Sequence, residues 1–269
     1  MSRIEKRFAD LKARQRKALI PYITAGDPQP EVTVPLLHAL VEAGADLLEI
    51  GVPFSDPMAD GPVIQAACER ALAHHVTLHQ VIEMVQAFRE NDADTPIILM
   101  GYLNPIEVWG YPAFAEAAAA AGVDGVLTVD MPPEEAGDLS AALGDQDIDT
   151  IYLLAPTSDV SRIRLVGESA SGFLYYVSFK GVTGANRLDI ASVADKVGEL
   201  RKHTDLPVGV GFGIRDAESA AAVAGIADAV VVGSVLVNRI AELADQPEAI
   251  APALSEKLAE LRTAIDAAG

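Results

Sequence analysis

Three carboxylates fall within a short stretch, Leu48 to Pro62, whose surroundings are wrong for ordinary surface acids. Glu49 stands inside the apolar run Asp46 to Ile50, which reads as a strand. Burying an ionised Glu there without a partner costs several kcal/mol or drives its pKa upward, the condition of acids that transfer protons. Asp56 and Asp60 follow in a connection that Gly51, Pro53, Pro57, Gly61 and Pro62 make stiff, and Pro62 suits the first turn of a helix. Glu49 and Asp60 are therefore expected to share one cavity. Two plainer readings stand beside this: Asp-Pro and Asp-Gly are common turn formers, and a structural ion pair would satisfy Glu49.

A second group of residues suits an anion. Gly181-Val182-Thr183-Gly184, Gly211-Phe212-Gly213 and Gly233-Ser234 each follow an apolar run, and each permits close backbone approach. Gly233-Ser234 also opens a helical pattern, whose free N–H groups and dipole favour a dianion such as phosphate. His74, His75 and His79 carry no zinc-binding pattern, because Thr77 breaks the helix between them, so they read as surface residues. Cys68 reads as a small packed residue, and Tyr175 as a strand residue near enough to the Thr183 loop to line a cavity.

The elements that position these residues alternate along nearly the whole chain of 269 residues. Strand patterns cover Ala18 to Thr24, Asp46 to Ile50, Pro96 to Met100, Gly125 to Val129, Thr150 to Leu154, Phe173 to Ser178, Pro207 to Gly211 and Ala229 to Val232. Helical spacing intervenes, as in Ile190, Val193, Val197 and Leu200, and in Leu254, Leu258, Leu261 and Ile265 near the end. Ala43-Gly44-Ala45-Asp46, Ala121-Gly122-Val123-Asp124 and Ala224-Gly225-Ile226-Ala227-Asp228 each join helix to strand, a weak internal repeat. Eight such units predict a single α/β domain over residues 1–269, a closed (β/α)₈ TIM barrel with additional helices, one of them opened by a capping box at Thr77 to Gln80. A doubly wound sheet is disfavoured, since Ile214 stands where G-x-G-x-x-G needs its last glycine. In such barrels the active site lies at the C-terminal ends of the strands and phosphate often binds after strands seven and eight.

Composition narrows the partners. A net charge of -19 repels nucleic acid and anionic membrane while leaving room for a small phosphorylated ligand held by backbone N–H groups. Half of the residues are hydrophobic and only 5% aromatic, so aliphatic side chains must fill the core, as in parallel sheets covered by helices. Cys68 is the sole cysteine, which rules out an intrachain disulfide and fits a reducing compartment. Ser2-Arg3-Ile4-Glu5 reads as a capping box before Ile4, Phe8 and Leu11 at helical spacing, unlike an export signal, and the apolar run Ala229 to Val237 is too short to span a bilayer. A cytoplasmic protein is expected.

With these residues in place the chain resembles the alpha subunits of tryptophan synthase. The resemblance runs through Pro21-Tyr22-Ile23-Thr24-Ala25-Gly26-Asp27-Pro28, Glu49 to Pro62, Asn104-Pro105, Gly181 to Gly184, Gly211 to Gly213 and Gly233-Ser234. It implies retro-aldol cleavage of indole-3-glycerol phosphate to indole and glyceraldehyde 3-phosphate, with no cofactor in this subunit. It further implies Glu49 as acid and base, Asp60 as acceptor of the indole N–H, and Thr183 as the residue orienting Asp60 when its loop closes. Apolar walls would come from Tyr22, Ile64, Met100, Leu127, Tyr175 and Phe212, and phosphate would be held by Gly184, Gly213, Gly233 and Ser234. The implied partner is a pyridoxal-phosphate beta subunit in an alpha2-beta2 heterotetramer, met by Pro53, Asp56 and Pro57 in one loop and Asn104 and Pro105 in another. Some relatives have Phe where this chain has Tyr22, Leu at Met100, and a basic residue at Phe179, with Lys180 one position on. Two other functions fit parts of the pattern: a Schiff-base aldolase using Lys180, and a non-catalytic subunit that senses a phosphorylated metabolite.

Overall fold

The computed structural model describes residues 1–178, 189–211 and 213–268. Eight parallel strands close a barrel in chain order: β1 (Ala18–Thr24), β2 (Leu48–Gly51), β3 (Ile97–Gly101), β4 (Gly125–Thr128), β5 (Asp149–Leu154), β6 (Leu174–Val177), β7 (Val208–Gly211) and β8 (Ala229–Val232), with β8 returning to β1. The expected (β/α)₈ architecture is present, and the strand ends differ from the sequence reading by a residue or two. β2 starts at Leu48 because Asp46 turns its carboxylate back onto the neighbouring backbone.

That turn repeats and explains the internal sequence repeat. The Asp46 N–H donates to the Leu19 carbonyl while its carboxylate accepts from the Leu19 N–H, both at 2.9 Å. Asp124 does the same with Ile97, at 2.9 and 2.8 Å, and Asp228 with Val208, at 2.9 and 3.0 Å. A guanidinium closes each set: Arg262 on Asp46, Arg89 on Asp124 and Arg201 on Asp228. Each aspartate thereby satisfies the donor that a parallel strand leaves unpaired at its start and holds that strand in register.

Helix α1 (Arg3–Ala13) plugs the N-terminal mouth of the barrel. Ile4, Phe8 and Leu11 are buried among inward-facing strand residues such as Ile20, Ile98 and Phe173, and the Phe8 and Phe173 rings lie 5.7 Å apart. Only half of the expected capping box forms there: the Ser2 hydroxyl accepts from the Glu5 N–H at 3.2 Å and donates onward to Asp149 at 2.6 Å. The box at Thr77 and Gln80 is complete and opens α4 (Leu78–Arg89). With the lower mouth filled, the opposite end of the barrel carries the acids. Among the described residues no helix is long and apolar enough to cross a membrane.

Candidate active site

Glu49 points into the barrel from β2, beside Tyr22 of β1 and Ile98 of β3. It is 1% exposed, and neither carboxylate oxygen has a hydrogen-bond partner among the described residues. Among the described residues, the ion pair that would have made it structural is not formed. Loss of hydration, reinforced by the charge of Asp60, raises its carboxyl from 4.5 to about 8. At neutral pH it is a protonated acid inside an apolar barrel.

Asp60 reaches the same space from the β2–α3 connection. Its N–H donates to the Pro57 carbonyl at 3.0 Å, Gln65 Nε2 donates to its carbonyl at 2.8 Å, and Pro62 starts α3 (Pro62–Ala73) as expected. Helix α3 is anchored from behind, because Arg70 forks onto the buried Asp27 carboxylate at 2.6 and 2.8 Å. Burial raises the Asp60 carboxyl above its usual range, opposed by a hydrogen bond from the Tyr102 hydroxyl at 2.8 Å. That hydroxyl also accepts the Ala59 N–H at 3.0 Å, and the Tyr102 ring stacks on Phe54 with centroids 5.0 Å apart. The sequence reading missed Tyr102. Its signal was its place immediately after β3, the end of a barrel strand where functional side chains gather.

The other expected site residues fall as follows. Tyr22, Leu127 and Tyr175 are buried and face inward, while Met100 and Ile64 are half-buried, Ile64 on α3. The Tyr22 ring occupies the place a side chain at Gly51 would take, with atoms 2.6 and 2.9 Å from that Cβ position, and Tyr175 does the same over Gly211 at 2.8 Å. Gly211 thus serves ring packing rather than phosphate approach. Gly213 is exposed in the left-handed region at φ +80°, a conformation suited to glycine. Gly233 and Ser234 open α11 (Ser234–Glu242), where Leu236 and Val237 N–H groups both turn to the Gly233 carbonyl. The Ser234 and Val235 N–H groups have no acceptor among the described residues, as an anion site at a helix start requires. Thr183, Gly184 and Phe212 lie outside the described residues, as do Phe179 and Lys180.

Two expectations about the outer surface need correction. Pro53 is buried in this chain and offers no surface to a partner, while Asp56 is exposed and Pro57 half-buried. Asn104 and Pro105 are not in a loop; they occupy the first turn of α5 (Leu103–Trp109), where proline costs no helical hydrogen bond. His74, His75 and His79 are exposed, with His79 stacked on Trp109, and no group of metal-ligating side chains assembles among the described residues.

A buried glutamate unpartnered among the described residues and an aspartate held by a tyrosine hydroxyl thus stand together at the C-terminal ends of barrel strands. Comparison with known proteins gives the pair a context. Residues 8–266 match the family model described as tryptophan synthase alpha chain. The chain belongs to that family. Tryptophan synthase alpha chains of Thioalkalivibrio sulfidiphilus and Alkalilimnicola ehrlichii are 66% and 63% identical to it, over 99% of this chain and 100% and 97% of theirs. The crystal structure of the Legionella pneumophila alpha subunit superposes with a TM-score of 0.92 at 47% identity, covering 99% of both chains. A Mycobacterium tuberculosis tryptophan synthase structure gives 0.89 at 38%, covering 98% of both. The reaction of tryptophan synthase alpha chains is the cleavage of indole-3-glycerol phosphate, a lyase step of tryptophan biosynthesis, and the family implies a beta-subunit partner.

Proposed function

We propose that Glu49 carries both proton transfers of the indole-3-glycerol phosphate cleavage and that Asp60 balances the charge formed between them. The observation that carries this reading is the pair of unpartnered Glu49 oxygens inside the barrel. Protonated Glu49 gives its proton to C3 of the indole, placing positive charge on the ring nitrogen. The resulting carboxylate then takes the proton of the C3' hydroxyl as the C3–C3' bond breaks. The bond's electron pair returns to the ring, the hydroxyl carbon becomes the aldehyde, and Glu49 is protonated again. Asp60, whose ionised form the Tyr102 hydroxyl favours against the effect of burial, accepts the ring N–H and stabilises the intermediate cation.

Tyr22, Ile64, Met100, Leu127 and Tyr175 form the apolar wall in this reading, joined by Phe212. The N–H groups of Ser234 and Val235, with Gly233, Gly213 and Gly184, hold the phosphate, and Thr183 aligns Asp60. No cofactor is required for these steps, and the whole chain works as one domain. The partner is a pyridoxal-phosphate beta subunit, in an alpha2-beta2 heterotetramer of the cytoplasm. Its docking surface is the active-site end of the barrel, where Asp56, Pro57 and Asn104 lie beside Met58 and Val108. These last two side chains are 86% and 82% exposed, uncommon for large apolar groups and suited to an interface.

The test is an assay of indole release from indole-3-glycerol phosphate by the purified chain, alone and with a beta subunit. Equimolar indole and glyceraldehyde 3-phosphate, with faster release in the complex, is the expected result. Absence of indole in both would overturn the reading in favour of a sensing subunit, and covalent trapping of substrate by borohydride would favour a Schiff-base aldolase.

A further inference from the structure

Glu49 is not the only buried polar group beside the apolar wall with hydrogen-bonding capacity left over. Tyr22 is 6% exposed and Thr24 1%, and their hydroxyls meet each other at 3.2 Å. Neither makes another hydrogen bond among the described residues. Two hydroxyls carry two hydrogens, and one bond between them uses one. Whichever oxygen donates, one O–H remains without an acceptor and at least two lone pairs remain without a donor. A buried hydroxyl left in that state is costly, so the pair is suited to a polar atom that arrives with a ligand.

Location decides which atom. Tyr22 packs with Ile64, Ala67, Met100 and Val237, the apolar side of the cavity, and its hydroxyl end lies over Gly51, two residues beyond Glu49 on β2. Its Cβ end lies 3.6 Å from the Cβ position of Gly233, where α11 begins. The ring therefore spans from the helix start that suits phosphate toward the end of β2. A substrate held as proposed above, with its phosphate at Ser234 and its reacting carbon at Glu49, would lay its aromatic ring along Tyr22, with the phenol oxygen toward the ring's edge.

We propose that the Tyr22–Thr24 hydroxyl pair is a polar subsite for an oxygen substituent on the benzenoid ring, so that the enzyme processes ring-hydroxylated indole-3-glycerol phosphates as well as the parent compound. This rests on the reaction proposed above. A substituent hydroxyl supplies the missing acceptor and a donor for a free lone pair, while the apolar neighbours still cover the rest of the ring. The parent substrate leaves the pair unsatisfied, so the site discriminates by an added hydrogen bond rather than by size.

The experiment compares kcat/KM for the parent and its 4-, 5-, 6- and 7-hydroxy derivatives in the wild type, Tyr22→Phe and Thr24→Val. At least one derivative is expected to match or exceed the parent in the wild type. Its ratio to the parent should fall about 3- to 10-fold in Tyr22→Phe, the range of one hydrogen bond, and fall likewise in Thr24→Val, which keeps the phenol but removes its partner. All four derivatives being disfavoured by the wild type, or all four ratios being unchanged in Tyr22→Phe, would overturn the proposal while the parent reaction stands. Failure of the wild type to cleave the parent would instead overturn the reaction reading, and the subsite with it.

Discussion

Replacing Glu49 by Gln separates the stability cost of the buried acid from its chemistry. The carboxyl titrates at 4.5 when hydrated and at about 8 in the barrel, raised by desolvation and then by Asp60. An acid whose folded pKa lies above its unfolded value stabilises the fold most below pH 4.5. That advantage is lost as pH rises through the window to about 8, because the unfolded chain ionises first. At 1.36 kcal/mol per pH unit the full span corresponds to about 5 kcal/mol, with less than about 1 kcal/mol lost at pH 5 and nearly all of it lost by pH 9. Glu49→Gln has no titrating proton, so its stability relative to wild type should rise by about 4 kcal/mol between pH 5 and pH 9. Paired urea denaturation of the two proteins at several pH values measures this difference, and effects of titrating groups that do not interact with Glu49 cancel between them. Turnover should fall by about 10²- to 10⁴-fold across the same range, since the amide keeps the shape and lacks the proton. A flat stability difference, within about 1 kcal/mol from pH 5 to 9, would refute the desolvated acid; near wild-type turnover would refute its role.

Tyr102→Phe removes the hydroxyl that holds Asp60 and the Ala59 N–H, so kcat should drop about tenfold and the acid limb of its pH profile should move upward as Asp60 loses the bond that favours its ionised form; an unmoved limb would count against this. Asp56→Ala, which removes an exposed carboxylate bonded among the described residues to Ser55 alone, should leave the isolated chain's activity intact and reduce its stimulation by the beta subunit, and undiminished stimulation would remove Asp56 from the coupling surface. Asp124→Ala should destabilise the barrel by about 3 to 5 kcal/mol, because Arg3, Arg89 and the Ile97 N–H all lose a buried acceptor. Asp124→Asn keeps an acceptor and should recover part of that loss in thermal melts.

How far the sequence could be read depended on whether a feature was local. Strand β1 and strand β8 were legible to the residue because unbroken apolar runs end at recognisable turns. Glu49 was legible because an acid in such a run violates the pattern around it. Tyr102 was not, since its meaning depends on Asp60, 42 residues away, and an aromatic after a strand breaks no rule. Gly51 and Gly211 carry the same lesson: each is a plausible loop glycine until a tyrosine two positions back on the preceding strand lays its ring diagonally over it. Asn104 and Pro105 read as a turn because proline usually ends helices, and only the start of α5 at Leu103 places them in its tolerant first turn.

The two ends of the barrel use carboxylates in opposite ways, and the contrast explains why the acids at one end can do chemistry. At the strand starts, Asp46, Asp124 and Asp228 each meet a backbone N–H and a guanidinium. Their charge is matched on several sides, so they hold register and have little left to offer a ligand. At the other end, among the described residues, Glu49 has no partner and the Asp60 carboxylate has one hydroxyl, although cations are available elsewhere in the chain. An arginine placed beside Glu49 would stabilise its ionised form and bring its pKa back down, removing the acid that the proposed mechanism uses to protonate carbon. The unpartnered carboxylate at the upper end is tolerable because the lower end is firmly held: α1 fills the mouth, and the aspartate clamps hold the strands on which Glu49 and Tyr22 are mounted. The paired carboxylates thus stand at the strand starts, and the one buried carboxylate with neither oxygen partnered among the described residues stands at the end where the proposed substrate binds.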